Sequence, residues 1–580
     1  MNSISPSLDS FASTVLSPTV LAHVADAEKN PPYLQTWDTW GRRSDVLITS
    51  SGWRELQAIG IREGIVAIGY ENQYAQASRV VQFLKYHVWS ASSAIVTCPS
   101  AMTDGAARLL SLQIQRIEGN AADAAKDKVL REAYKRLISR DPERAWTSGQ
   151  WMTERTGGSD VRNTETLARV ALLKAGESKN DAHGNLLGQW HINGFKWFSS
   201  ATDANMAVLL AQTSKGLSLF YAPMRRVTSP AVRAVNGGRD TELNGVEIQR
   251  LKSKLGTKAL PTAELVLQNT RAWLLGEEGK GTKEISPVLN ITRVHNAVSA
   301  VGFWGRGLAV SRAFARVRRS GGKLLKDTPA HTATMAKNHV KYRANMHLAF
   351  FTVALLGISE NGTSDSCTEA RALEHVTLPK SETSEILLRL LTPITKAMTA
   401  KAAIKGLQEC MESLGGVGYL EHDDMSTNIA RLYRDANVLS IWEGTTDVLA
   451  DDLVRVLKGR TGAAVLKTLT TWISTIIECW DGEWTAASTI IDRKLLNLVK
   501  HVHSKDKEVL LHEGRNFMKG VAWIICSILL IQDARSDGDA ASAEIARRWT
   551  GLVTQQDWEE SVLWDRRIVF YGYEKDKAKL

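Results

Sequence analysis

Val438-Leu439-Ser440-Ile441-Trp442-Glu443-Gly444-Thr445-Thr446-Asp447-Val448-Leu449 sets one carboxylate between an apolar, aromatic run and a Gly-Thr-Thr turn. Apolar neighbours disfavour the charged form of a carboxyl group, which raises its pKa and makes its anion a stronger base. Gly444 carries no side chain to keep another molecule away from the backbone. A glutamate beside a glycine more often closes a helix or faces water, so the segment takes its meaning from what lies upstream.

Around it, residues 283–460 carry helical periodicity. The pattern predicts helices over 294–319, 334–356, 385–414 and 429–457, the last interrupted at Glu443-Gly444. Residues 357–384 are polar and read as a loop or insertion. Between 146 and about 275 the texture changes to short β-prone runs (166–173, 189–198, 206–212, 217–221, 263–267) separated by Gly, Asn and Asp. Asp181-Ala182-His183-Gly184-Asn185 reads as a turn in that region. Residues 1–145 are helix-like up to the break at Asp141-Pro142. Beyond the linker Gly459-Arg460-Thr461-Gly462, the chain is again helical and rich in tryptophan. The expected organisation is mainly α with a central β domain: an N-terminal helical domain (1–145), a middle β domain (146–282), a helical bundle (283–460) and a C-terminal helical domain (461–580).

Length and composition agree with several ordinary globular cores, since 580 residues with 44% hydrophobic and 23% charged content are typical of them. The longest apolar run, 521–531, is too short for a membrane span and reads as a buried helix. Residues 1–16 contain neither Lys nor Arg, unlike secretory or mitochondrial leaders. Cys98, Cys367, Cys410, Cys479 and Cys526 lack metal-ligand spacing and suggest a reducing compartment. Ala578-Lys579-Leu580 differs in one small residue from a peroxisomal address, so a peroxisomal location is expected, with cytoplasmic as the alternative. The net charge of +10 is local: residues 225–343 hold 22 basic and 8 acidic residues, whereas 461–580 hold 16 and 17. That distribution suits a multiply phosphorylated handle better than a nucleic acid.

Two upstream motifs complete the pattern. Trp151-Met152-Thr153-Glu154-Arg155-Thr156-Gly157-Gly158-Ser159-Asp160-Val161 contains a tight turn whose N–H groups and hydroxyl can hold an anion or a ring carbonyl. In Asn193-Gly194-Phe195-Lys196-Trp197-Phe198-Ser199-Ser200 an indole and a hydroxyl two positions apart share one face of a strand, able to shield and hydrogen-bond a flat heterocycle. Downstream, Leu414-Gly415-Gly416-Val417-Gly418-Tyr419 offers a glycine-rich turn, followed by Leu432-Tyr433-Arg434-Asp435-Ala436. In this order and spacing the motifs resemble the acyl-CoA dehydrogenase family over roughly residues 50–460, and the added helical region resembles its AidB-like branch.

The resemblance implies an FAD enzyme in which Glu443 removes the α-proton of an acyl-CoA thioester while hydride leaves the β-carbon for the flavin. By matched position, Thr153, Ser159, Trp197, Ser199 and Thr445 would bind FAD; Ser199 stands where many relatives have Thr. Arg318, Gly415, Gly416 and Gly418 would meet the FAD of a neighbouring subunit in a homodimer or homotetramer, although Arg318-Arg319-Ser320-Gly321-Gly322-Lys323 lacks the usual Phe. Arg293, in Asn290-Ile291-Thr292-Arg293, and Gly444 would lie at the thioester. The electron acceptor would be O2 or an electron-transfer flavoprotein. The alternative in another class is an AidB-like flavin-containing DNA-binding protein, which the near-neutral 461–580 region disfavours. Nitroalkane oxidation on the same fold uses an Asp base, and Glu443 argues against it.

Overall fold

The computed structural model describes residues 4–174, 176–233, 238–363, 381–480, 482–552 and 557–570. Backbone contacts divide the chain into two units, one of Ser13–Glu71 and Ser92–Thr292, the other of Met1–Ala12, Asn72–Ala91 and Arg293–Leu580.

Strand Met206–Thr213 organises the first of these units. Every residue from Met206 to Ala211 is buried. Successive side chains of a strand face opposite ways. Met206, Val208 and Leu210 therefore join one apolar cluster with helices Thr97–Ile117 and Ala124–Leu137, while Ala207, Leu209 and Ala211 join another with Trp151, Ile192, Phe220 and Leu265. Five strands close on themselves. Thr262–Leu275 pairs with Trp190–Ser200, which pairs with Leu167–Val170; that strand meets Met206–Thr213, which pairs with Gly216–Pro223, and the last returns to Thr262–Leu275. Closure removes open edges. Val246–Leu251 adds to the ring antiparallel, and Ser148–Trp151 adds in parallel. The β region expected between 146 and 275 is thus a closed barrel with two appended strands.

The helical texture expected for 1–145 needs one correction. Tyr33–Trp37 and Arg43–Ile48 form an antiparallel hairpin between helices Pro18–Lys29 and Ser51–Arg62. Asp45 Oδ2 accepts from Ile248 N at 3.0 Å and Arg43 donates to Ile248 O, so the hairpin is set by a partner about 200 positions away rather than by local preference.

The second unit is helical. Its central layer joins three helices, Ser286–Val317 (from Arg293 onward), Pro329–Asn361 and Ser381–Ser413. A Cβ on Gly406 would come within 2.1 Å of the Trp304 indole, so only glycine allows the contact. Trp304 Nε1 donates to Asn338 Oδ1, and Asn338 Nδ2 donates to Gly406 O, both at 3.0 Å. Residues 357–361 continue a helix and 381–384 begin one, so the expected 357–384 loop is shorter than its polar composition suggested; 364–380, including Cys367, lie outside the described residues. The expected linker is a turn closed by Gly462 N donating to Gly459 O. Helices Gly462–Ile477, Thr485–Ser504, Gly514–Asp537, Ala540–Thr550 and Trp558–Phe570 follow. Gly514–Asp537 is long and apolar enough to cross a membrane by length and composition, yet Met518, Val521, Ile525, Ile528 and Ile531 are buried against neighbours that include Pro329–Asn361 and Thr446–Lys458. It is the core helix expected at 521–531. Ala578-Lys579-Leu580 lies outside the described residues.

Candidate functional site

Glu443 occupies a break between helices. Helix Ile429–Ala436 tightens into a 3-10 turn, Asn437–Ser440, and helix Thr446–Lys458 starts just beyond. Between them Glu443 has φ 56° and Gly444 φ 102°. A left-handed glutamate is strained and persists only where its surroundings hold it. Four side chains do so. Trp442 Nε1 donates to Asn296 Oδ1 at 2.9 Å, and Asn296 Nδ2 donates to Leu439 O at 3.0 Å. Arg293 Nε donates to Glu443 O at 3.4 Å, and Lys396 Nζ donates to Gly444 O at 2.6 Å.

Arg293 also binds Asp452 at 3.0 Å, a carboxylate that Arg389 meets at 2.6 Å. Burial favours the neutral form of Asp452, but Arg389 and Arg293 outweigh it and hold the carboxyl below its ordinary range. Arg293, expected beside a thioester, is therefore engaged with protein groups: it braces the backbone of Glu443. Lys396 is fully buried. Burial pushes its ammonium down to about 7, with the Glu443 charge opposing and Arg293 adding to the shift. Glu443 itself is half-buried, and Thr445 is exposed at the start of its helix.

In the β-containing unit the two upstream motifs are tied by a buried ion pair. Lys196 Nζ lies 2.7 Å from Glu154 Oε1, with side-chain exposures of 0% and 4%. Glu154 also accepts from Thr166 Oγ1 and Glu165 N, both at 2.6 Å, and Lys196 donates to Leu210 O at 2.8 Å. Desolvation favours a neutral Glu154, but Lys196 and the hydrogen bonds hold its pKa below the ordinary value. The loop bearing Gly157, Gly158 and exposed Ser159 leaves strand Ser148–Trp151 at this anchor. Half-buried Thr153 accepts from Trp197 N at 2.9 Å.

Strand Trp190–Ser200 bulges between Lys196 and Ser199, opposite Glu264. The alternation expected to set Trp197 and Ser199 on one face is broken there. Ser199 is fully buried and its Oγ has no hydrogen-bond partner among the described residues, whereas Trp197 is half-buried. Lys252 Nζ stands 3.1 Å from the Trp197 ring centroid and 2.6 Å from Glu264.

In the helical unit, Gly415–Tyr419 forms a 3-10 turn. A Cβ on Gly418 would fall 2.0 Å from Met411 O, which excludes any larger residue; Gly415 and Gly416 are exposed with open space around them. Tyr419 on this turn is 83% exposed. Arg318 is exposed immediately after helix Ser286–Val317, ahead of the short hairpin Arg319–Ser320 and Lys323–Leu324. Sequence reasoning missed Asn296, Lys396, Glu154 and Lys196. Lys196 and Lys396 each carry one available signal, a single cation at a position whose period points into the core.

Three family models match the chain in succession: the adaptive response protein AidB N-terminal domain over residues 2–136, the acyl-CoA dehydrogenase middle domain over 149–270 and the acyl-CoA dehydrogenase C-terminal domain over 279–458. Acyl-CoA dehydrogenase family member 11 of Caenorhabditis elegans is 39% identical over 446 residues, which are 75% of this chain and 64% of that protein. AidB of Escherichia coli (strain K12) is 28% identical over 437 residues, 75% of this chain and 71% of that one. The crystal structure of Caenorhabditis elegans ACDH-11 in complex with C11-CoA matches with TM-score 0.80 at 34% identity, over 98% of this chain and 91% of that chain.

Proposed function

Because the chain belongs to the acyl-CoA dehydrogenase family, in its AidB-like branch, we propose that it is an FAD-dependent oxidoreductase that introduces an α,β double bond into an acyl-CoA thioester. The observation that carries this reading is the left-handed Glu443, braced through its own and the next carbonyl by Arg293 and Lys396. Strain of this kind concentrates where a side chain must be aimed.

The residues present fit FAD. The buried Ser199 hydroxyl has no hydrogen-bond partner among the described residues, which leaves it available to a flavin ring edge. Trp197 is half-buried with Lys252 over its ring, and Ser159 stands exposed on the loop of Gly157 and Gly158. Thr153 is read as sharing in the same hold, and Thr445, carried over by its motif position, as a further FAD contact. Arg318, Gly415 and Gly416 are read as the surface that meets a second subunit's FAD in a homodimer or homotetramer, with buried Gly418 shaping the turn beneath them. When bound, FAD supplies the two-electron acceptor for the hydride that leaves the β-carbon.

The chain's own task is proton removal. The α-C–H of a thioester is a weak acid, and a donor at the thioester oxygen stabilises the charge that develops there. The N–H of Glu443 is that donor, and its carboxylate takes the α-proton. Gly444, at φ 102°, allows the turn that carries the carboxylate and is read as lying at the thioester. Arg293 acts through the Glu443 carbonyl.

The test is anaerobic addition of butyryl-, octanoyl- and undecanoyl-CoA to purified FAD-loaded protein. The visible flavin band is expected to bleach with at least one of them. Retained FAD with no bleaching by any would overturn the reading. Admitting air then tests O2 as acceptor: stoichiometric H2O2 supports it, and its absence counts against it.

A further inference from the structure

Lys396 sits within helix Ser381–Ser413, in the run Thr392-Pro393-Ile394-Thr395-Lys396-Ala397-Met398, with its side chain enclosed. An ammonium in such a place is unfavourable unless hydrogen-bonded or paired. An apolar side chain of the same length would fill the space without that cost. What only lysine adds is a donor to Gly444 O at 2.6 Å and a positive charge that the Glu443 carboxylate feels. Arg293, from helix Ser286–Val317, donates to the preceding carbonyl, that of Glu443. Two cationic side chains from separate helices thus grip consecutive carbonyls of a dipeptide in which both residues have positive φ.

We propose that Lys396 is the positioning residue of the base: it holds the Glu443-Gly444 peptide in the left-handed turn that aims the Glu443 carboxylate, and it sets a charge beside that carboxylate. The inference rests on Glu443 being the base. Charged groups around Lys396 are Glu443 and Arg293, the latter paired with Asp452, which Arg389 shares. Because burial brings Lys396 down to about 7, its charge changes within the range in which activity is measured. A lysine whose folded pKa is lowered binds its proton more tightly in the unfolded chain, so this group destabilises the fold below about 7 and is relieved as pH rises toward its ordinary 10.5. A purely structural lysine would be a poor choice under those terms.

The test uses the full-length FAD-loaded protein with octanoyl-CoA and undecanoyl-CoA under anaerobic conditions, and the variants Lys396→Met, Lys396→Gln and Glu443→Gln. Lys396→Met is expected to retain FAD and to melt at or above the parent's temperature. Its bleaching rate at saturating acyl-CoA is expected to fall about tenfold or more, since small misplacements of a reacting group carry that cost. The half-saturating concentration stays within about twofold, because an interaction used to aim the base is not one that binds substrate. The acid limb of its rate profile moves to higher pH, since a cation near the carboxylate has gone. Lys396→Gln, which keeps a donor for Gly444 O without the charge, recovers part of the rate but not the acid limb. Where Lys396→Met fails to fold, Lys396→Gln decides. Parental rate and pH profile in the Lys396 variants, with Glu443→Gln inactive, would overturn the role of Lys396 and leave Glu443 as the base. Loss of FAD and a large fall in Tm in both Lys396 variants would make the lysine structural and overturn it too. Parental bleaching in Glu443→Gln would remove the base and the inference together.

Discussion

Glu443→Gln keeps its FAD and its acyl-CoA binding and loses the bleaching reaction, with a rate about a hundred- to ten-thousandfold lower. Glutamine has the same shape and leaves every backbone contact at the turn in place. Arg293 still meets the carbonyl of residue 443, Lys396 still meets Gly444 O, and Trp442 still bonds Asn296. Only basicity is removed. Stopped-flow absorbance under anaerobic conditions reads the rate, and the flavin-to-protein ratio shows that the site is intact. Near-parental bleaching would mean that another group takes the α-proton.

The second large effect is structural and lies in the β-containing unit. Lys196→Met leaves the Glu154 carboxylate enclosed without its cation, a change that costs about 3–5 kcal/mol when a buried pair is broken from one side. Glu154 also gathers Thr166 Oγ1 and Glu165 N, so the disturbance spreads to the loop that bears Gly157, Gly158 and Ser159. A lower urea midpoint and a lower flavin content are expected together. Replacing Glu154 by Leu in the same chain removes the orphaned charge and returns part of the stability. Because the folded-state pKa of Glu154 is lowered, the parent's advantage is present above the ordinary carboxylate range and fades as pH falls through it. An unchanged midpoint in Lys196→Met would show that the pair contributes nothing net.

The parts of the fold set by periodicity were legible in the sequence. Met206 to Ala211 is apolar at every position, and both faces of that strand are buried. The break in helical pattern at Glu443-Gly444 is where two helices separate. The parts set by distant partners were not legible: the hairpin at Tyr33–Trp37 is fixed by its contact with Ile248, and the bulge at Trp197-Phe198 by the ladder with Thr262–Leu275. The same holds within the candidate site. Glu443 could be picked out by its neighbours in sequence, but Asn296, Arg293 and Lys396 reach it from 47 or more positions away. Arg293 was picked out by its motif position, and its contacts with the Glu443 carbonyl and Asp452 are visible only in three dimensions. Ser199 stood out in the Lys196-Trp197-Phe198-Ser199 run, but that its hydroxyl has no hydrogen-bond partner among the described residues is visible only in three dimensions.

The most direct measurement is a crystal structure of the FAD-loaded protein with a non-reactive thioether analogue of octanoyl-CoA. The expected result is a Glu443 carboxylate oxygen about 3–3.5 Å from the carbon that stands for the α-carbon, with the flavin on that carbon's far side. A Glu443 side chain turned into solvent away from the analogue, with FAD in place, would contradict it.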